Sequence, residues 1–78
     1  MAELLLVKYG HIIRQQRLAR NLSQQNLADL CSLHRTYISD VERGKRNISL
    51  SNMQKIAAAL GLALSELFFE MEHADETI

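Results

Sequence analysis

The stretch SQQNLADLCSLHRTYISDVER, Ser23 to Arg43, decides how this chain is organised. Ser23 is a good N-cap, because its hydroxyl can satisfy one of the open N–H groups at a helix start. After it, Leu27, Ala28, Leu30 and Cys31 recur at helical spacing and predict a second helix, apolar on its inner face, ending near Cys31. About three residues, around Ser32 and Leu33, separate it from a third helix predicted from Arg35 to about Arg43 and closed by Gly44. A turn that short cannot lay two helices antiparallel. They must cross steeply, which is the geometry of a helix-turn-helix over about residues 23–43. The third helix is then left projecting from the body.

At roughly 100° per residue, Ile38 and Val41 point inward, supported by Leu33, while Thr36, Ser39, Asp40 and Arg43 project outward. Arg35 flanks the N-terminal end, where open N–H groups and a partial positive charge suit a phosphate or a groove edge. The Arg35 fork matches guanine O6 and N7, and Thr36 offers a hydroxyl together with a methyl that suits a thymine methyl. The following loop, Arg43-Gly44-Lys45-Arg46-Asn47, packs three cations and an amide into five residues, groups that grip phosphates and set the register. Singly, each of these residues reads as solvated surface. Together with the tight turn they point to duplex DNA.

Outward from this segment, Leu6, Tyr9, Gly10 and Ile13 form one stripe of a first helix from Leu6 to about Arg20, ended by a left-handed Asn21. Arg17 continues that stripe, so its charge is partly buried and needs a partner, for which Glu42 is the candidate. Ser49 or Ser51 caps a fourth helix ending at Leu60 before Gly61, and Ser65 caps a fifth that runs to about Glu72. With no proline and no strand-like alternation, the expectation is one compact, all-α, five-helix domain over residues 1–78, with a frayed tail at 73–78.

On the fifth helix Leu64, Leu67, Phe68 and Met71 share one side and Phe69 falls opposite, so a short helix is apolar on two sides. One side packs on its own domain. The other suits a symmetric dimer, with a dimerisation region at about 62–72 and Leu64, Phe68, Phe69 and Met71 at the interface. The alternative folds Phe69 under the run Leu4 to Val7.

Formal net charge is zero, which at first argues against a nucleic-acid partner. Its distribution argues for one. Residues 1–46 carry eight Lys and Arg against four acids, and residues 47–78 carry Lys55 alone against five acids, so the two parts are +4 and −4. Cys31 is the single cysteine, which excludes an internal disulfide and fits a reducing cytoplasm. His11, His34 and His73 show no ligand spacing, so no metal is expected. No apolar stretch reaches membrane-spanning length, which predicts a soluble protein. There is no nucleophile–base set and no phosphate-cradling glycine loop, so neither an enzyme, a cofactor nor a small-molecule ligand is expected.

The runs Ser23-Gln24-Gln25-Asn26-Leu27-Ala28, Arg35-Thr36-Tyr37-Ile38-Ser39 and Val41-Glu42-Arg43-Gly44 resemble the Cro/phage-repressor helix-turn-helix family, also called the XRE family. The likeness continues through Asn47-Ile48-Ser49-Leu50 and Ile56-Ala57-Ala58-Ala59-Leu60 to Leu67-Phe68, about residues 10–69. Within it, Arg46-Asn47 and Phe68-Phe69-Glu70 are similar to controller proteins of restriction–modification systems. The resemblance implies a lambda-repressor-like fold, base-reading positions at Arg35, Thr36 and Asp40, and a structural Arg17–Glu42 ion pair. The backbone contacts expected beside them are Ser23, Gln24, His34, Tyr37, Ser39, Arg43, Arg46 and Asn47. It further implies a homodimeric transcriptional regulator on an inverted-repeat operator, with half-sites about 10 bp apart between centres. Activation would require a surface touching RNA polymerase; repression would need only occupancy. A phage or prophage repressor, or an antitoxin whose main task is binding a toxin protein, are the alternatives. Three residues depart from the family pattern: Ser32 stands where glycine is common, His34 replaces a better cap, and Asp40 places a carboxylate on the outward face.

Overall fold

A computed structural model describes residues 2–73; residues 74–78, most of the expected frayed tail, lie outside the described residues. Five helices follow one another: α1 (Ala2–Ala19), α2 (Gln24–Cys31), α3 (Arg35–Glu42), α4 (Leu50–Ala59) and α5 (Leu64–Glu72). Among the described residues there is no strand. Helix α3 packs against α1 and α2, α4 against α2, and α5 against α1 and α4.

All four joints use one device. Each helix ends at a left-handed residue, Asn21 (φ 57°), Ser32 (58°), Gly44 (69°) or Gly61 (74°). The next N–H then reaches back to a carbonyl five residues earlier: Leu22 to Arg17, Leu33 to Ala28, Lys45 to Asp40 and Leu62 to Ala57, at 2.9–3.2 Å. This is the Schellman arrangement, which satisfies carbonyls a helix end would otherwise leave open. In three of the four the donor is a leucine (Leu22, Leu33, Leu62) that packs against the core, so the same residue closes the backbone and seals the joint. Ser32 holds its left-handed conformation with a Cβ present, at a cost of about 1 kcal/mol against glycine.

The helix starts differ in strength. Ser23 and Asn26 form a reciprocal box on α2, with Ser23 Oγ accepting from the Asn26 N–H at 2.9 Å and Asn26 Oδ1 accepting from the Ser23 N–H at 3.2 Å. Ser49, not Ser51, caps α4 through the Asn52 N–H at 3.1 Å. Helix α5 starts two residues earlier than Ser65 would place it. Its N-cap is Ala63, whose N–H donates to the Glu66 carboxylate at 2.7 Å, so the acid supplies the capping bond from inside the helix. Helix α1 also begins before Leu6, at Ala2, because Leu4, Leu5 and Leu6 are good helix formers and nothing stops the helix there.

Among the described residues thirteen buried apolar ones make the core, with contributions from every helix, including Tyr9, Ile13, Leu27, Ile38, Ile56 and Leu67. Leu30, expected on the inner face of α2, is 60% exposed. It lies about 100° from the middle of the arc formed by Leu27, Cys31 and Ala28. Tyr9 is fully enclosed yet keeps its hydroxyl satisfied by donating to the Met53 carbonyl at 3.3 Å, and burial raises its pKa well above the usual tyrosine value.

On α5, Leu67 and Met71 are buried and Leu64 is half-buried against the core. Met71, expected at the dimer interface, is only 8% exposed and packs into the core. Phe68 sits on the rim at 37% exposure and Phe69 stands out at 61%, its ring stacked on His73 at 4.1 Å. Phe69 does not lie under the N-terminal leucines. Leu5 instead faces Phe68 across an open depression of about 550 Å³ that is also lined by Lys8, Met71 and Glu72.

Gly10 is where α1 meets α3. A Cβ there would collide with the carbonyl oxygens of Val41 and Glu42, so the two backbones touch with no side chain between them. In an exposed helix Gly→Ala would add about 1 kcal/mol of stability. Here Gly10→Ala is expected to lower stability by about 1–3 kcal/mol, read as a lower urea midpoint; an unchanged or raised midpoint would show that the helices do not meet there.

Candidate nucleic-acid interface

Arg17 and Glu42 form a bidentate ion pair, Nε to Oε2 at 2.7 Å and Nη2 to Oε1 at 3.0 Å, with side chains 7% and 2% exposed. The remaining Arg17 fork, Nη1, donates to the Leu22 carbonyl at 2.8 Å. One guanidinium thus holds the last turn of α3 and the α1–α2 joint together. Hydrogen bonding to Glu42 raises the Arg17 pKa above its ordinary value, outweighing burial, so the guanidinium stays charged.

From this pair a chain of contacts runs to the surface. Gln24 Nε2 donates to Glu42 Oε1 at 3.1 Å, and Arg35 Nη1 donates to Gln24 Oε1 at 3.5 Å. Gln24, expected only as a phosphate contact, also links the buried brace to the outermost arginine of α3. Its role was hidden because Gln24 lies on α2 while Arg35 and Glu42, two turns apart, lie on α3; only the folded crossing of α2 and α3 brings them together.

Arg35, Thr36 and His34 are exposed at the start of α3, and His34 makes no capping bond with its side chain. The first turn of α3 therefore presents its N–H groups outward beside Arg35. Gln24 and Ser39 are half-buried, and Lys45 and Asn47 are exposed on the loop after α3. Ser23 is exposed, with its oxygen engaged in the α2 cap. Helix α3, its loop and the start of α2 thus share one continuous polar surface.

Asp40 has partners of its own chain. Arg43 Nη2 lies 2.7 Å from Oδ1 and Arg46 Nη2 3.2 Å from Oδ2. The bond from Arg43, then that from Arg46, holds the Asp40 carboxyl below its usual range, so it is ionised at neutral pH. The Arg46 guanidinium also lies over the Tyr37 ring, 4.8 Å from its centroid, and the Tyr37 hydroxyl accepts from Asn52 Nδ2 at 3.1 Å. The Asp40–Arg43 contact follows from i, i+3 spacing. The Arg46 contacts depend on the course of the loop, and Asn52 carried no signal in the sequence.

A helix braced from within, projecting an arginine and a threonine beside a cationic loop, defines a helix-turn-helix DNA-binding protein. A family model described as "Helix-turn-helix" matches residues 13–67. The chain is 55% identical over 60 residues to the control protein C.BamHI of Bacillus amyloliquefaciens, covering 76% of this chain and 74% of that protein. It is 45% identical over 67 residues to the control protein C.MunI of a Mycoplasma species, covering 85% and 90%. The crystal structure of the restriction-modification controller protein C.AhdI from Aeromonas hydrophila matches with a TM-score of 0.79 at 51% identity, covering 81% of this chain and 96% of that one. The chain belongs to the XRE-type helix-turn-helix family of DNA-binding transcription regulators, which are not enzymes. Among the described residues no helix is long and apolar enough to cross a membrane, and no cluster of His, Cys, Asp and Glu is placed to hold a metal.

The buried pair yields a prediction with two arms. Glu42→Ala strands the Arg17 charge and is expected to cost about 3–5 kcal/mol, lowering the urea midpoint and DNA affinity together. Arg17→Met with Glu42→Leu recovers most of the stability but not the affinity, because no directional contact then orients α3. Full affinity in that double variant would show that the pair does not set the helix orientation.

Proposed function

We propose that this chain is a homodimeric transcriptional regulator of the restriction–modification controller kind, acting on an inverted-repeat operator. The observation that carries this reading is the exposed start of α3, where Arg35 and Thr36 stand clear of the body on a helix braced by Arg17 and Glu42. Arg35 reads guanine through O6 and N7, and Thr36 reads the adjacent base edge. Gln24, His34 and the open N–H groups at the start of α3 meet phosphate on one side of the groove, with Ser23, Tyr37 and Ser39 alongside. Arg43, Lys45, Arg46 and Asn47 meet it on the other. The controller assignment is supported by similarity to the control proteins C.BamHI and C.MunI over most of both chains.

The dimer rests on α5. Phe69 is 61% exposed, and Phe68 with Leu5 rims an open depression that Met71, Lys8 and Glu72 also line. A two-fold contact uses the same patch twice and covers both phenylalanines without asking for a different partner. It also sets the two reading helices about one DNA turn apart. Phe68 and Phe69 offer most of that patch, while Met71 lines the depression at 8% exposure and Leu64 is half-buried against the core.

Selection of bound duplexes from a random pool tests the reading, and the expected product is an inverted repeat. Arg35→Ala is expected to weaken binding to the selected duplex by about 1–3 kcal/mol and to relax preference at one position of each half-site. No enrichment at moderate salt would remove the reading altogether. For the dimer, Phe69→Glu is expected to move the chain to monomer in sedimentation at unchanged helix content; a dimer that persists would place the interface elsewhere.

A further inference from the structure

A carboxylate on a surface that meets phosphate is repelled unless a cation offsets it. Asp40 has two such cations, one on each oxygen: Arg43 on Oδ1 at 2.7 Å and Arg46 on Oδ2 at 3.2 Å. Both arginines remain about half exposed, and each uses a single Nη2 donor on Asp40. A guanidinium has five donors in a fixed fork, so each keeps free N–H groups for a phosphate while its position is held by the carboxylate. Arg46 is held a second time by the Tyr37 ring, which Asn52 ties to α4. Two cations, Arg43 and Arg46, therefore share one internal counter-charge, in a geometry fixed from two helices, α3 and α4, and not by the loop alone.

We infer that Asp40 is a specificity-determining residue that acts through Arg43 and Arg46 and reads no base itself. This rests on the proposed reading of α3 as the helix that enters the groove. Binding to arbitrary DNA comes from phosphate neutralisation, and it grows with every cation free to find a phosphate in any register. Asp40 reduces that contribution in two ways. It offsets part of the charge of two loop cations, and it confines their forks to one orientation relative to α3. On the operator, Arg35 and Thr36 place α3 at one depth and one register, and the two held forks then meet the backbone without further ordering. On arbitrary DNA no such placement exists, and the same restraint leaves them poorly matched. Specificity built by weakening the wrong complex is a general alternative to strengthening the right one.

Asp40→Asn removes the charge and keeps the shape. Its affinity is measured against a duplex selected from a random pool by the wild-type chain and against an unrelated duplex of equal length and composition, each over a range of salt. Expected is tighter binding to the unrelated duplex, with a salt slope steeper by about one and a severalfold fall in the ratio of selected to unrelated affinity. Introduced into the Arg43→Ala, Arg46→Ala double variant, the same substitution should only relieve repulsion, raising affinity for both duplexes alike and leaving the ratio unchanged. A ratio that Asp40→Asn leaves unchanged overturns the inference. So does a loss confined to one base-pair position that persists in the double variant, which would make Asp40 a base reader. A wild-type chain that selects no duplex overturns the DNA reading itself, an outcome distinct from both.

Discussion

The orientation of α3 depends on one buried ion pair. Arg17 and Glu42 are enclosed on all sides, and burying two charges is offset only when their remaining hydrogen-bonding groups are satisfied. Here they are. Glu42 Oε1 receives both Arg17 and Gln24, Oε2 receives Arg17, and the spare arm of Arg17 takes the Leu22 carbonyl. An apolar pair of similar size would fill the space and match the stability, but apolar contacts have no direction. The bidentate pair does, and it fixes the end of α3 to α1 beside Gly10, where the two backbones are already in contact. Position comes from the glycine and orientation from the ion pair. Arg35, seven residues before Glu42 and linked to it through Gln24, inherits both.

A domain of this size has little core from which to draw rigidity, and repeated use of one joint compensates. Each of the four connections passes through a left-handed residue and closes on a carbonyl five positions back. Short, closed joints lose less conformational entropy on folding than open loops and satisfy carbonyls that a helix end would leave open. The α2–α3 joint is the tightest of them in functional terms, because its angle determines how far α3 projects. That it uses Ser32 where glycine would relax the backbone shows that the angle is held by packing, chiefly Leu33 against the core, and not by local preference.

Much of this was legible in the chain. The left-handed positions are marked by Asn21, Gly44 and Gly61, and a leucine follows two of them; the buried arginine was marked by its place in an apolar stripe. What stayed hidden has two physical causes. Helix starts were misplaced where the capping group lies inside the helix, as with Glu66 serving Ala63, because a serine near the boundary is the louder signal. A side chain at the edge of a helical arc was misassigned because spacing gives an angle without a depth: Leu30 falls outside the buried arc. At the interface, single residues were visible but not their pairings. Gln24 with Glu42, Arg46 with Tyr37 and Tyr37 with Asn52 each join different elements, and no periodicity connects them.

A chain of zero net charge that binds a polyanion is explained by where its charges act. Arg17 and Glu42 cancel inside the body, leaving Arg35, Arg43, Lys45 and Arg46 against Asp40 on the α3 surface. The acids Glu66, Glu70 and Glu72 belong to α5, which packs on α1 and α4, and Glu70 is engaged there by Gln16 at 3.2 Å. At physiological salt a charge is screened over about 8 Å, while the molecule is 30 Å long. Acids on α5 therefore do not subtract from the attraction at the α3 face, and the net charge of the chain is the wrong quantity to weigh. The carboxylate that matters is the one within that distance, Asp40, in direct contact with the cations it moderates.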